Sequence, residues 1–268
     1  MSEQETHERE AKFHDRWAQS TELDSIAVDE AFEAPTALEN QYILKTLGCL
    51  KGKRVLDIGC GLGESSVKFA KMGAITTASD LSPEMVRLTY SNAQKLGLTV
   101  NTCAGPAETL DLPDGSFDVI YAANIIHHIT DRARFFANVN RLLDKGGVFC
   151  AWDPVKYNPV INIYRRMATD VRTDDEMPLG REDLKKLRQF FPEVHVRFFW
   201  LLSLTLFMKY FVFDRVHPNK ERYWKRIYRE TNQTLWWWLP LRWLDSLLLR
   251  LPLMKWLSWN VVMICRKS

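Results

Sequence analysis

The apolar run Arg54-Val55-Leu56-Asp57-Ile58 leads directly into Gly59-Cys60-Gly61-Leu62-Gly63. A strand that ends beside a carboxylate and turns through three alternating glycines constrains the fold more than any other segment. Glycine reaches the required dihedrals at little cost and lets the backbone approach a ligand. The GxGxG spacing is one residue short of the dinucleotide pattern GxGxxG. A second acid, Asp80, follows 23 residues after Asp57 at the end of the next apolar run, Ala74 to Ser79. There a carboxylate can accept both hydroxyls of a ribose. The plainer reading, a tight strand-to-helix connection, does not account for the second acid.

From Lys53 onward, short apolar runs alternate with helix-period segments, the pattern of successive βα units around a parallel sheet. Predicted strands cover 54–58, 74–79, 99–103, 117–122, 147–152, 194–200 and 259–266. Ser82-Pro83-Glu84 supplies an N-cap and a first-turn proline for a helix that runs to Lys95 and stops at Gly97. Asp131 caps another through Leu143, and a further helix lies near 182–190. Residues 153–178, rich in Asn, Pro and Asp, read as a loop.

Four ordered segments resemble the class I methyltransferases, in particular the group of ubiquinone/menaquinone-type and related small-molecule enzymes: VLDIGCGLGESS (55–66), TTASDLSPEMV (76–86), GPAETLDLPDGSFDVIYAANIIHHI (105–129) and RLLDKGGVFCAWDP (141–154). The resemblance spans about residues 40–155. It implies an α/β fold: a Rossmann-like, seven-stranded, mostly parallel sheet with helices on both faces, here with a helical Trp/Leu-rich insertion between the last two strands. It implies S-adenosylmethionine as cofactor, and a glycine loop preceded by an acid suits such a zwitterionic sulfonium better than a pyrophosphate. Asp57, Gly59, Cys60, Gly61 and Gly63 form the cofactor loop, with Gly59 and Gly61 near the methionine moiety. Asp80 serves the ribose, Leu81 and Met85 lie beside the adenine with Ala107 and Glu108, and Asn124 sits beneath the sulfonium. Family members often read Gly-Asp-Ala-Glu where this chain has Gly105-Pro106-Ala107-Glu108. Pro106 has no carboxylate for the adenine amino group, so backbone groups or Glu108 must substitute.

Methyl transfer from a sulfonium is an in-line displacement, so alignment and exclusion of water are the main tasks, and a base is needed only when the acceptor loses a proton. His128 and His127 follow the fourth strand, at the carboxyl edge where open α/β sheets bind ligands, and are the candidate catalytic bases. A packing role for the pair is the alternative. Asp153 and Tyr157 face the same side, with loop capping as the alternative for the acid. Phe13 and Trp17 suit residues 1–36 to an N-terminal lid, with hydrophobic anchoring of a terminal helix as the alternative. The core is 37–200, the insertion 201–257, and 258–268 the final strand.

Residues 201–257 carry six of the ten tryptophans, and the chain from residue 200 onward holds 12 Lys/Arg against 4 Asp/Glu, whereas the part before it is acidic. Arg242, Asp245, Ser246 and Arg250 share one helical face, with a wide leucine and tryptophan face opposite. Arg222, Lys225, Arg226 and Arg229 form a basic face upstream. Aromatic clusters with basic flanks suit an element lying in a bilayer interface, each basic residue near anionic lipid contributing about 1 kcal/mol. An internal lid or a dimer surface is the other reading. Both favour a small lipophilic acceptor, with peripheral membrane contact through 203–256. No nucleic-acid partner is expected, since Asn124-Ile125-Ile126-His127 lacks the Asn/Asp-Pro-Pro-aromatic motif that holds a flipped base. The five cysteines, without CxxC pairs or ligand spacing, give neither a metal site nor a disulfide framework and fit a reducing compartment. The charged N-terminus lacks a signal-like apolar stretch, and no run of 18 apolar residues occurs, so a cytoplasmic protein, peripheral at the inner membrane surface, is expected.

Overall fold

In the computed structural model, which describes residues 3–173 and 176–268, seven strands form one sheet in the order β3-β2-β1-β4-β5-β7-β6. A first helix, α1 (Glu3–Gln19), is followed by α2 (Glu30–Glu33), α3 (Leu38–Leu47) and the central strand β1 (Arg54–Ile58). Then come α4 (Glu64–Lys71), β2 (Ile75–Asp80), α5 (Pro83–Lys95), β3 (Val100–Ala104), β4 (Phe117–Ala123), α6 (Arg132–Leu142) and β5 (Leu143–Pro154). These strands pair in parallel. After α7 (Pro159–Met167), α8 (Arg181–Phe190) and β6 (Glu193–Phe199), the insertion contributes α9 (Thr205–Val212), α10 (Tyr223–Arg229) and α11 (Thr231–Leu248). The last strand, β7 (Asn260–Arg266), runs antiparallel between β5 and β6.

Alternation along β4 explains the two apolar layers. Ile120 and Ala122 enter one cluster with Phe135, Phe149 and Leu187, while Val119 and Tyr121 enter another with Phe69, Cys150 and Trp152. Both faces of the sheet are therefore covered, which is why its strands read as nearly continuous apolar runs. The expected caps are present: the Ser82 hydroxyl accepts from the Met85 N–H at 3.1 Å, and Asp131 accepts from the Arg134 N–H at 3.1 Å.

Two readings need correction. The segment expected to be a loop contains α7, whose first turn is capped by Asn158, accepting from the Ile161 N–H at 3.0 Å, with Pro159 at the first helical position. This Asn-Pro start is a helix signal as well as a turn signal. Strand β5 also begins four residues earlier than predicted, because Leu143 pairs with Phe117 before a register shift.

The insertion is built onto the sheet. Leu206, Phe207, Tyr210, Tyr223, Ile227 and Trp238 belong to the same cluster as Val119 and Tyr121. Asp245, read as part of a polar helical face, is buried: its carboxylate accepts from the N–H groups of Leu201, Leu202 and Ser203 at 2.9, 2.6 and 3.2 Å and from the Ser203 hydroxyl. A buried carboxylate is tolerated when hydrogen-bond donors surround it. Asp245 is the one member of that face that is buried, while Ser246 and Arg250 stay exposed. Trp236, Leu239, Trp243, Leu244 and Leu247 of α11 face outward, Trp236 at 80% exposure and Trp243 at 63%. Met208, Phe211, Val212 and Phe213 at the end of α9 are exposed as well. No helix among the described residues is long and apolar enough to cross a membrane.

Candidate functional site

The glycine loop leaves β1 at Ile58 and enters α4 after Gly63, the helix N-cap, whose φ is 86°. Gly59 has φ of 70°, and a Cβ there would lie 2.4 Å from Ile125 Cδ1, so the first glycine is required by the turn that follows β4. Gly61, at φ of 52°, would meet nothing within 4 Å, because its open side borders a cavity. The Asp80 carboxylate ties the loop down: Oδ2 accepts from the Gly61 N–H and Oδ1 from the Ser82 N–H, both at 2.9 Å. Two of its four lone-pair positions remain for a diol.

This cavity, of about 270 Å³, lies at the carboxyl ends of β1, β2 and β4. Gly59, Cys60, Gly61, Asp80, Leu81, Ala107, Glu108, Asn124, His127 and His128 all line it. Three of the expected cofactor residues do not. Asp57 is buried under the loop and accepts from the Ser66 hydroxyl at 2.5 Å. Burial, with the neighbouring charges of Asp80 and Glu64, raises its pKa to about 7, so it supports the turn from below. Gly63 packs against Thr89, and Met85 is fully buried among Ala18, Leu62 and Leu88. The spacing of a motif does not distinguish residues that face a ligand from those that support the loop.

Beyond β4 the chain makes a compact turn. Asn124 adopts a left-handed φ of 56°, which asparagine tolerates better than most residues, and its N–H donates to the Trp152 carbonyl at 2.8 Å. Asp153, fully buried at the end of β5, organises this turn. Its Oδ2 accepts from the N–H groups of Ile125 and Ile126 at 3.1 and 2.7 Å, and its Oδ1 lies 2.6 Å from His127 Nδ1. The acid is thus a cap and an imidazole partner rather than a group facing the cavity. Burial raises the Asp153 pKa to about 6, against the N–H donors and the Arg132 and His128 charges that lower it. Burial, together with the charges of His128, Arg165 and Arg172, pushes the His127 pKa well below its usual value. The imidazole is therefore neutral, with its Nδ1–H directed at Asp153 and its Nε2 lone pair 3.6 Å from Glu176.

Helix α1 closes the opposite wall. Glu10 Oε2 lies 3.3 Å from His128 Nδ1 and 3.5 Å from His14 Nε2, and His7 Nε2 lies 3.7 Å from Glu108. Burial works against the Glu10 charge, yet hydrogen bonds from His128 and His14 hold its pKa far below the usual carboxylate range. The Ser82 hydroxyl, 2.5 Å from Asp15, pins the helix to the N-terminus of α5. The ligand atoms of Glu10, His14 and His128 lie within 4.8 Å of one another, as do those of His127, His128 and Glu176. His7, Glu10 and His14 escaped the sequence reading, although their spacing of three and four marks one helix face.

The basic face of α10, expected to meet lipid, turns inward. Lys225 pairs with Glu64 at 2.6 Å, Arg226 pairs with Asp214, Glu221 and Glu230, and the Arg222 guanidinium stacks 3.9 Å above the Trp17 ring. Arg222, Trp224, Lys225, Tyr228 and Arg229 therefore line the same cavity as the glycine loop. Tyr157 is a third exposed and donates no contact to the cavity wall.

Residues 56–151 match the model of a family described as a methyltransferase domain. Over 168 residues the chain is 27% identical to a sterol 24-C-methyltransferase of Gibberella zeae, an alignment covering 62% of this chain and 41% of the relative. It is 36% identical over 98 residues to a ubiquinone biosynthesis O-methyltransferase of Coxiella burnetii, covering 37% and 42%. The chain thus spans less than half the length of these curated relatives. Among solved structures, phosphoethanolamine N-methyltransferase 2 of Haemonchus contortus, in complex with phosphomonomethylethanolamine and S-adenosylhomocysteine, superposes with a TM-score of 0.61 at 19% identity, covering 96% of this chain and 59% of that one. A SAM-dependent methyltransferase of Thermotoga maritima gives a TM-score of 0.58 at 17% identity, covering 96% and 99%. The family match covers the glycine loop and the strands beside it, and the sheet, in the order β3-β2-β1-β4-β5-β7-β6, has the fold of these solved S-adenosylmethionine-dependent methyltransferases.

Proposed function

We propose that the chain transfers a methyl group from S-adenosylmethionine to a small lipophilic acceptor of quinone, lipid or polyketide type, working at the inner surface of the membrane. One observation carries this reading. A single cavity is bordered by the glycine loop and Asp80 on one side and, on the other, by aromatic residues of the lid and the insertion: Phe13, Trp17, Trp224 and Tyr228. The relatives named for sterol and ubiquinone-pathway methylation support an apolar acceptor. The outward tryptophan and leucine face of α11 supports an interfacial position, where aromatic rings partition favourably.

The residues present fit the cofactor. The two unused lone-pair positions of Asp80 suit a ribose diol, the open side of Gly61 suits close backbone approach, and Leu81, Ala107 and Glu108 border the region assigned to the adenine. When bound, S-adenosylmethionine supplies an electrophilic methyl carbon on a sulfonium. Asn124 and the Ile125 to His128 turn then bound the space where the acceptor must lie. His127 has the base-and-orienter geometry of a proton acceptor: Asp153 fixes its tautomer, and a proton taken at Nε2 is stabilised by Glu176 and Asp153. His128, held by Glu10, links that turn to the lid, so closing α1 excludes water from the reacting atoms.

The test is incubation of the purified protein with methyl-tritiated S-adenosylmethionine and a lipid extract. Label is expected in the organic phase. Absence of transfer, together with absence of S-adenosylhomocysteine binding in a calorimetric titration, overturns the reading.

A further inference from the structure

One wall of the same cavity gathers guanidinium groups, two of which have no carboxylate partner among the described residues. Helix α7 carries Tyr164 and Arg165 on its cavity side, Arg172 follows five residues after the helix ends at Met167, and Arg222 reaches in from the N-cap of α10. Arg172 is paired with Glu176. Arg165 is not paired: among the described residues its guanidinium meets Asn162 Oδ1 at 3.3 Å and no carboxylate. Arg222 has the Trp17 ring beneath it and likewise no carboxylate partner among the described residues. Lys225, by contrast, is neutralised by Glu64.

These groups sense one another. Burial lowers the Arg165 pKa to about 9 with Arg172 repelling it, and burial lowers Arg172 to about 10. Tyr164, raised to about 12 by burial, feels the fields of both Arg172 and Arg222. The cations of Arg165 and Arg172 also reach His127. An unpaired guanidinium taken out of water is costly, and it persists where a ligand provides the missing anion. A planar fork with several N–H donors suits a carboxylate or phosphate group better than a neutral hydroxyl or carbonyl.

We infer that Arg165, Arg172 and Arg222, with the Tyr164 hydroxyl, form a subsite for an anionic group, carboxylate or phosphate, on the methyl acceptor. The inference rests on the proposed methyltransferase reading and narrows its substrate class. The acceptor is an amphiphile whose anionic end lies beside the His127 turn and whose apolar part runs along Trp17, Trp224 and Tyr228. An anion there would also offset the charges that keep His127 deprotonated, so acceptor binding and the readiness of the base are coupled.

The experiment titrates the full chain, saturated with S-adenosylhomocysteine, with three probes of equal chain length: hexadecanoate, hexadecyl phosphate and hexadecanol. Either anion should bind at least tenfold more tightly than the alcohol, and the better of the two identifies the group. Arg165→Gln should remove that preference, and Arg165→Lys should restore part of it. Because the half-buried Arg165 has no carboxylate partner among the described residues, the ligand-free Arg165→Gln protein should melt at a temperature equal to or higher than the wild type. Equal binding of all three probes, an unchanged preference in Arg165→Gln, or a lower melting temperature of that variant overturns the inference. S-adenosylhomocysteine binding is measured first in the same titration. Its absence defeats the methyltransferase reading itself, whereas its presence without anion preference defeats only the subsite.

Discussion

Replacing Asp80 by asparagine tests the assignment of the glycine loop at its most constrained point. The carboxylate offers four lone-pair positions and spends two on the N–H groups of Gly61 and Ser82, leaving two toward the cavity. Asparagine keeps the shape but turns one oxygen into an NH₂ group. If the nitrogen faces Gly61 or Ser82, a donor meets a donor and the loop is released. The amide nitrogen must take the place of Oδ1 or Oδ2, so one of these two contacts is lost whichever way the amide turns, and a ribose hydroxyl on that side also loses its acceptor. In each case at least one hydrogen bond to a charged group disappears, worth about 1.5–3 kcal/mol, and the remaining ones lose their charge. The expected weakening is about 2–3 kcal/mol, or roughly 30- to 150-fold in Kd. Isothermal titration with S-adenosylhomocysteine reads the affinity, and a melting curve of the ligand-free variant establishes that the sheet is intact. A folded Asp80→Asn protein that binds within threefold of the wild type would refute the argument, since no other carboxylate among the described residues lies between the Gly61 and Ser82 N–H groups.

Two further outcomes follow from the structure. Trp236 and Trp243 face solvent on α11, so the double substitution Trp236→Ser/Trp243→Ser should reduce flotation with anionic vesicles by about 2 kcal/mol, roughly 30-fold in partition, without lowering stability; equal flotation of the two proteins would dispose of interfacial binding through this face. Glu39 is buried beside the Asn260 amide, which donates to it at 2.6 Å, and burial raises its pKa from 4.5 to about 7. The folded state therefore holds a proton that the unfolded chain has lost, and stability falls as pH rises through the window from 4.5 to 7. Glu39→Gln removes that loss, so urea titrations should show the variant gaining on the wild type by up to about 3 kcal/mol between pH 4.5 and pH 8, and a difference independent of pH would contradict it.

The parts of the molecule read correctly from sequence are those determined by local chemistry. The core strands, the Ser82 and Asp131 caps and the glycine loop with Asp80 each rest on a period, a cap or a backbone requirement that neighbouring residues carry themselves. Helix α7 was missed although Asn158 and Pro159 announce it, because the same dipeptide also opens turns. What tertiary structure alone decided is orientation. The polar residues of α11 share one helical face in the sequence, but Asp245 finds three backbone N–H groups and a hydroxyl to hold, so it turns inward beside the buried Trp238, while Trp236 and Trp243 face outward. The basic side of α10 turned toward the cavity because Glu64 and the Trp17 ring receive Lys225 and Arg222. Asp57 and Asp153 likewise became supports, of the loop and of the His127 turn, once buried donors converged on them. A helix displays its period in the sequence, but which side it buries depends on the donors and acceptors that distant segments present, and those exist only after the sheet has brought them together.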